Sequence, residues 1–201
     1  MRRADAALSA ARRRLLAAAG RSAAAGTLLG LPALTWPQPA TPDCPRDGAP
    51  TPPQTEGPYF KPSSPERASL LEPGMAGERL LLSGRVLDAG CRPVAHALLD
   101  VWQADADGAY DNRGQRLRGH LYTDAEGRYR LETIVPGVYP GRTRHLHLKL
   151  QPPGGRVLTT QLYFPDEPLN RRDGLFDPVL LVALRREGGA AQARYDFVLR
   201  G

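Results

Sequence analysis

From Arg79 onward, short apolar runs alternate with polar residues, and Gly, Pro and Asp punctuate them. That pattern predicts strands rather than helices. Strands are expected over Leu80–Leu87, Ala97–Gln103, His120–Thr123, Arg128–Ile134, Arg144–Leu150 and Thr159–Phe164, with Tyr195–Leu199 closing the sheet. The turn Asp124-Ala125-Glu126-Gly127 would join two of them as a hairpin. Pro136-Gly137 and Pro140-Gly141 break the chain again. No long amphipathic helix and no repeat is evident in this stretch. Short strands with frequent turns indicate an all-β sandwich over residues 79–201.

Two zones precede it. Residues 41–78 are rich in Pro, Gly, Ser and Thr and are read as an N-terminal arm wrapping the sandwich, although composition alone favours a plain linker. Residues 1–40 carry six arginines against Asp5, which is +5 of the formal net charge of +6. The basic character therefore belongs to the N-terminus, and the sandwich offers no basic patch for nucleic acid. Arg12-Arg13-Arg14-Leu15-Leu16 stands before an alanine-rich stretch, as in an export signal of the twin-arginine type. A basic tail is the plainer alternative. The stretch is too polar for a convincing membrane span, so no membrane partner is expected after export to a periplasmic or extracellular compartment.

Cys44 and Cys91 are the chain's two cysteines, and with no CxxC pair thiolate zinc chemistry is unsupported. In an oxidising compartment they could pair; two buried thiols are the alternative. Export and an arm that must be held to the sandwich favour the disulfide.

The strongest chemical signal is His145-Leu146-His147. In a strand, alternate side chains share a face. His145, His147 and Lys149 would point one way, and Leu146, Leu148 and Leu150 into the core. Two imidazoles about 7 Å apart along a strand can converge on one metal. An exposed polar strand face explains the same pattern. Tyr110, in Asp107-Gly108-Ala109-Tyr110, and Tyr139, in Gly137-Val138-Tyr139-Pro140-Gly141-Arg142, each sit at a turn; either alone reads as a packing residue.

Taken together with Thr55-Glu56-Gly57-Pro58-Tyr59-Phe60, Leu82 to Asp88, Cys91-Arg92-Pro93-Val94, Asp100 to Asp105, Thr123 to Tyr129 and Gln161-Leu162-Tyr163-Phe164, these motifs resemble the intradiol ring-cleavage dioxygenases. The likeness covers roughly residues 50–166, in order. It implies a transthyretin-like (prealbumin-like) β-sandwich with an N-terminal arm. It also implies iron(III) held by Tyr110, Tyr139, His145 and His147. Arg142 matches the family's active-site arginine, and Gln161 a glutamine beside the substrate. Tyr139 matches the tyrosine that leaves the metal when substrate binds. The implied partners are a catechol-type substrate and dioxygen, and the product a muconate-type dicarboxylate. Self-association into a homo-oligomer is left open. Gly141 departs from the bulky aromatic of the protocatechuate enzymes, which bears on the substrate rather than on the metal.

Two other functions compete. A cupin-like metal enzyme also carries HxH on a strand, but usually adds a glutamate that Leu148 to Pro152 lacks. A metal-free transthyretin-like binding module would not require the two tyrosines and two histidines together. Elsewhere, His96 and His120 read as surface or hydrogen-bonded histidines, Trp102 as core, and Tyr122, Tyr129 and Tyr195 as strand packing. Tyr59 and Tyr163 are candidates to line the pocket. Lys149 is expected to reach solvent along its stem.

Overall fold

The computed structural model describes Cys44 and residues 48–200; the expected export signal lies outside the described residues. Among the described residues, nine strands form two sheets. These are β1 (Arg79–Asp88), β2 (Leu98–Trp102), β3 (Arg118–Tyr122), β4 (Arg128–Ile134), β5 (His145–Gln151), β6 (Leu158–Tyr163), β7 (Ala183–Glu187), β8 (Ala190–Arg194) and β9 (Phe197–Leu199). One sheet has the order β4-β1-β8-β7, with β9 also on β1; the other has the order β3-β2-β5-β6. Among the described residues the only other regular elements are short 3-10 turns, including Pro168–Arg171 and Pro178–Leu180.

The apolar alternation places the core between the sheets. Leu99, Leu146, Leu148, Leu150 and Leu162 of the second sheet are buried against Leu82, Val86, Leu131 and Phe197 of the first. On β5 the three leucines are fully enclosed, as the period of two requires. The same period turns Arg118, His120, Asp100, Trp102, His145, His147, Lys149 and Gln161 to the outer face of the second sheet.

In the first sheet, β1 pairs in parallel with β8 through Ser83 and with β9 from Val86. The chain bends between those pairings at Tyr195, whose carbonyl oxygen would lie 1.8 Å from a Cβ at position 84. Glycine at 84 is what permits that approach. The Tyr195 carbonyl accepts the Tyr129 hydroxyl at 2.7 Å, and Arg85 N–H donates to Asp196 Oδ1 at 2.8 Å. Three strands are thus locked at one residue that has no side chain.

The segment before β1 covers exposed edges. Gln54 N–H donates to Thr159 O on β6, and Arg67 N–H donates to His120 O on β3. Leu70 N–H donates to Glu132 O on β4. Between the first two contacts the segment crosses the outer face of the second sheet. Edge strands that would otherwise offer unpaired backbone groups are thereby occupied. Cys44 and Cys91 are joined by a disulfide with Cα atoms 5.5 Å apart, which ties the start of this segment to the turn after β1.

Three features differ from the sequence expectation. The β7–β8 hairpin was not expected, because its strands are rich in Ala and Arg. Its signal is the Gly188-Gly189 loop, with φ of 60° and 81°, the geometry of a two-residue hairpin. Tyr122 is 47% exposed rather than packed. Lys149 does not reach out to solvent; it pairs with Glu56 and lies 4.5 Å from the centroid of the Phe60 ring.

The Gly84 lock gives a stability test. Gly84→Ala is expected to lower unfolding free energy by about 1–3 kcal/mol through overpacking, as read from urea denaturation. An unchanged midpoint would mean that β8 and β9 do not close on β1 in this way.

Candidate functional site

The outer face of the second sheet carries a row of side chains fixed by register. Trp102 stands opposite Arg118 on one side and His147 on the other, and His147 stands opposite Gln161. The Trp102 indole stacks on the His147 ring, with centroids 4.9 Å apart and planes 8° from parallel. Gly57 passes over His147 with φ +71°, and a Cβ there would lie 3.2 Å from His147 Cε1. Phe60 packs edge-on against Trp102 at 4.9 Å. Crossing backbone therefore buries what an isolated strand face would expose: His145 is 3% exposed and His147 2%.

Three donor atoms meet at this face. His145 Nε2 lies 3.1 Å from His147 Nε2 and 3.4 Å from Tyr110 Oη. His145 Nδ1 lies 2.6 Å from Thr143 O. A carbonyl can only accept, so Nδ1 carries the proton and Nε2 presents its lone pair. Burial lowers the His145 pKa to about 4 and that of His147 well below its ordinary value, and the Arg142 charge acts in the same direction. Both rings are neutral near pH 7, the form that binds metal. Burial pushes the Tyr110 phenol up, against an opposing pull from Arg142. It keeps its proton unless a cation displaces it. Two imidazole nitrogens and a phenol oxygen at one point fit a hard transition-metal cation. Among the described residues no group of three or more His, Cys, Asp or Glu could hold a metal, so a centre here depends on tyrosine.

Tyr110 lies between β2 and β3, and Tyr139 between β4 and β5. Glycines bring those loops together. A Cβ at Gly108, whose φ is +85°, would meet Val138 O at 2.1 Å, and one at Gly137 would meet Ala106 O at 2.4 Å. Gly137 N–H donates to Asp105 O at 2.7 Å. The Tyr139 ring consequently sits 6.0 Å from the Tyr110 ring and 5.5 Å from that of Tyr59, which stacks on Tyr110 at 4.3 Å. The hydrogen bond to Tyr139, followed by burial, raises the Tyr59 pKa.

Arg142 and Gln161 are also in contact. An Arg142 Nη2–H donates to Gln161 Oε1 at 2.6 Å, and Gln161 Nε2–H donates to Thr55 O at 2.9 Å. Tyr163 Oη lies 3.1 Å from Gln161 Oε1 and donates to Leu175 O at 2.8 Å. Burial raises the Tyr163 pKa to about 12. The structure thus gathers Tyr110, His145 and His147 directly, Tyr139 through Tyr59 and Tyr110, and Arg142 with Gln161 beside them. Sequence reasoning missed Asp173, which accepts Arg142 Nε–H at 2.9 Å. It also missed Thr143 as the acceptor for His145. The spacing Thr143-Arg144-His145 could have suggested the latter; Asp173 carries no local signal.

A family model described as "Dioxygenase" matches residues 55–201. The chain is 40% identical over 154 residues to the protocatechuate 3,4-dioxygenase beta chain of Burkholderia cepacia, across 62% of this chain and 66% of that one. It is 31% identical over 182 residues to hydroxyquinol 1,2-dioxygenase of Nocardioides simplex, across 71% and 62%. The chain therefore spans about two thirds or less of the length of these curated relatives. Among solved structures, the dioxygenase domain of a dioxygenase carbohydrate-binding protein fusion from Streptomyces sp. SirexAA-E superposes with a TM-score of 0.74 at 56% identity, covering 75% of this chain and 98% of that one. The 3-chlorocatechol 1,2-dioxygenase of Rhodococcus opacus 1CP superposes with a TM-score of 0.70 at 32% identity, covering 75% and 72%.

The cover over the histidines is testable on chelator-treated protein. Gly57→Val forces a side chain against His147 at a left-handed backbone position. Diethyl pyrocarbonate should then modify the peptide carrying His145 and His147 several-fold faster than in the unaltered protein. Equal rates would show that the segment at Gly57 does not shield them.

Proposed function

Because this chain belongs to the intradiol ring-cleavage dioxygenase family, we propose that it binds a single non-haem iron(III) and opens catechol-type rings between the two hydroxylated carbons. The observation that carries the reading is the meeting of Tyr110 Oη, His145 Nε2 and His147 Nε2 at one point, with Tyr139 and Arg142 alongside. In the net reaction the bond between the two oxygenated carbons breaks. Each of those carbons gains one atom of dioxygen, and the product is a muconate-type dicarboxylate without any external reductant.

Iron(III), when bound, supplies a hard acceptor for both catechol oxygens and draws electron density from the ring towards dioxygen. Tyr110, His145 and His147 would hold it, on a strand face and a loop packed against that face. Thr143 O fixes the His145 tautomer, so the lone pair at Nε2 needs no reorganisation. Tyr139 is the fourth ligand in this reading. It lies on a turn flanked by Pro136-Gly137 and Pro140-Gly141, so its ring can yield to an incoming catechol oxygen and take that oxygen's proton at Oη. Arg142 places a fixed positive charge where negative charge develops on the ring oxygens. Gln161 orients that guanidinium, its own amide being held by Thr55 O. The segment carrying Thr55 to Phe60 keeps water from the inner side of the centre.

Export belongs to the same proposal. The arginine-rich N-terminus fits the twin-arginine route, which carries folded and cofactor-loaded proteins. The Cys44–Cys91 disulfide agrees with an oxidising compartment.

The test is oxygen uptake with catechol, hydroxyquinol, protocatechuate and chlorinated catechols under ¹⁸O₂. The product should be a ring-opened dicarboxylate carrying two labelled atoms. Arg142→Ala should retain iron yet lose about 100-fold in kcat, the scale of one lost stabilising donor. An aldehyde-bearing product of cleavage outside the diol, or no uptake with any catechol by iron-loaded protein, contradicts the reading.

A further inference from the structure

Asp173 lies beyond the stretch that carries the family motifs, in the loop between β6 and β7. It is 8% exposed, and its side chain 2%. Each of its oxygens is used. Oδ2 accepts Arg142 Nε–H at 2.9 Å and Thr143 N–H at 2.9 Å, and Oδ1 accepts Leu175 N–H at 2.9 Å. The carboxylate therefore grips two consecutive residues of the chain that leads into β5. One is Arg142. The other is Thr143, whose carbonyl receives His145 Nδ1–H and whose hydroxyl donates to Asn170 Oδ1 at 2.7 Å.

We infer that Asp173 is a positioning residue for this site: it clamps the Nε edge of Arg142 so that the opposite end of the guanidinium stands against Gln161 beside the metal ligands. The inference rests on the ring-cleavage reading for its catalytic consequence, but not for the clamp itself. An arginine on a free loop has many rotamers, and fixing such a side chain costs rotamer entropy. Here the fixing is done before substrate arrives. Nε is held by Asp173, and Nη2 by Gln161 at 2.6 Å, with Tyr163 Oη at 3.4 Å. Asp173 and Gln161 belong to different elements and together leave the guanidinium plane one orientation. A buried carboxylate facing three N–H donors cannot be replaced by an amide without conflict, because the amide nitrogen would face one of those donors. Although burial would raise it, the hydrogen bonds from Leu175, Thr143 and Arg142 keep the Asp173 carboxyl below its ordinary value, so the clamp is charged at neutral pH.

Positioning makes a different demand from charge alone. Arg142→Lys keeps the positive charge and leaves Asp173 bonded to Thr143 and Leu175, but removes Nε. Asp173→Asn keeps Arg142 but takes the charge out of the grip and sets an amide nitrogen against one of its three N–H donors. The experiment measures kcat and KM for catechol in Arg142→Lys, Asp173→Asn, Arg142→Ala and the Arg142→Ala/Asp173→Asn double variant. It also records the ¹⁵N–¹H resonance of the Arg142 Nε–H, assigned by its absence in Arg142→Lys. The expected result is a slowly exchanging Nε–H in the unaltered protein that is lost in Asp173→Asn. Arg142→Lys and Asp173→Asn should each lower kcat about 10- to 100-fold with KM within about threefold and iron retained. The double variant should be no slower than Arg142→Ala alone, since the clamp acts only through the arginine. Three results overturn the inference: a kcat for Arg142→Lys within twofold of the unaltered enzyme, an Nε–H signal unchanged by Asp173→Asn, or losses that multiply in the double variant. If Asp173→Asn does not fold, the lysine variant and the Nε–H exchange rate still decide. If the unaltered protein turns over no catechol, the ring-cleavage reading fails, and the resonance alone decides whether the clamp exists.

Discussion

A strand face bearing imidazoles, a carboxylate, an ammonium and a guanidinium is costly to bury unless its charged groups find partners. The outer face of the second sheet is such a face, and the segment that covers it brings most of the partners, although Trp102 Nε1, Arg118 Nη1 and His147 Nδ1 are buried without one. Ser64 Oγ–H donates to Asp100 Oδ1 at 2.8 Å, and the Ser64 carbonyl lies 2.8 Å from His120 Nδ1. Glu56 pairs with Lys149. Thr55 O receives Gln161. The Arg67 guanidinium donates to Arg118 O at 2.7–2.9 Å. Burial raises the Asp100 pKa, and the Ser64 hydrogen bond together with the His120, Lys149 and Arg118 charges works against that rise. Cover and sheet stabilise each other, because neither side's polar groups are satisfied alone.

That constraint explains where chemistry can sit. The leucines of β5 anchor one side of the strand in the core, so His145 and His147 cannot rotate away. The tyrosines come from loops, and backbone contacts at Gly108 and Gly137 hold the loops together. In the proposed reading, the two nitrogens and Tyr110 would be the fixed ligands and Tyr139, on its turn, the exchangeable one. Trp102, stacked on His147 and packed against Phe60, joins the outer face of the sheet to the segment that covers it. The sequence expectation put it in the core; it is buried, but on the outer face against a candidate ligand rather than between the sheets.

The two-residue period of β5 was legible because one face is purely leucine. The sandwich class was legible because turn residues separate the runs. The β7–β8 hairpin was not, since alanine and arginine carry little strand preference and the pairing with β1 is what stabilises it. Residues 48–78 were ambiguous for a physical reason: their order comes from pairing with distant edges at Thr159, His120 and Glu132, which composition cannot express. The same holds for Asp173, whose partners lie about thirty residues upstream. Local motifs name the groups that could touch a metal; the groups that hold them in place are set by tertiary contact.

In the proposed function, Tyr110 and Tyr139 from loops and His145 and His147 from β5 hold one iron(III). Metal analysis joined to the visible absorption of the purified protein, with and without Tyr110→Phe, tests it most directly. The expected result is one iron per chain, a broad tyrosinate-to-iron absorption band in the unaltered protein, and loss of that band or of the iron in Tyr110→Phe. A colourless protein with a full complement of iron, or a Tyr110→Phe variant with unchanged iron and an unchanged band, would contradict it.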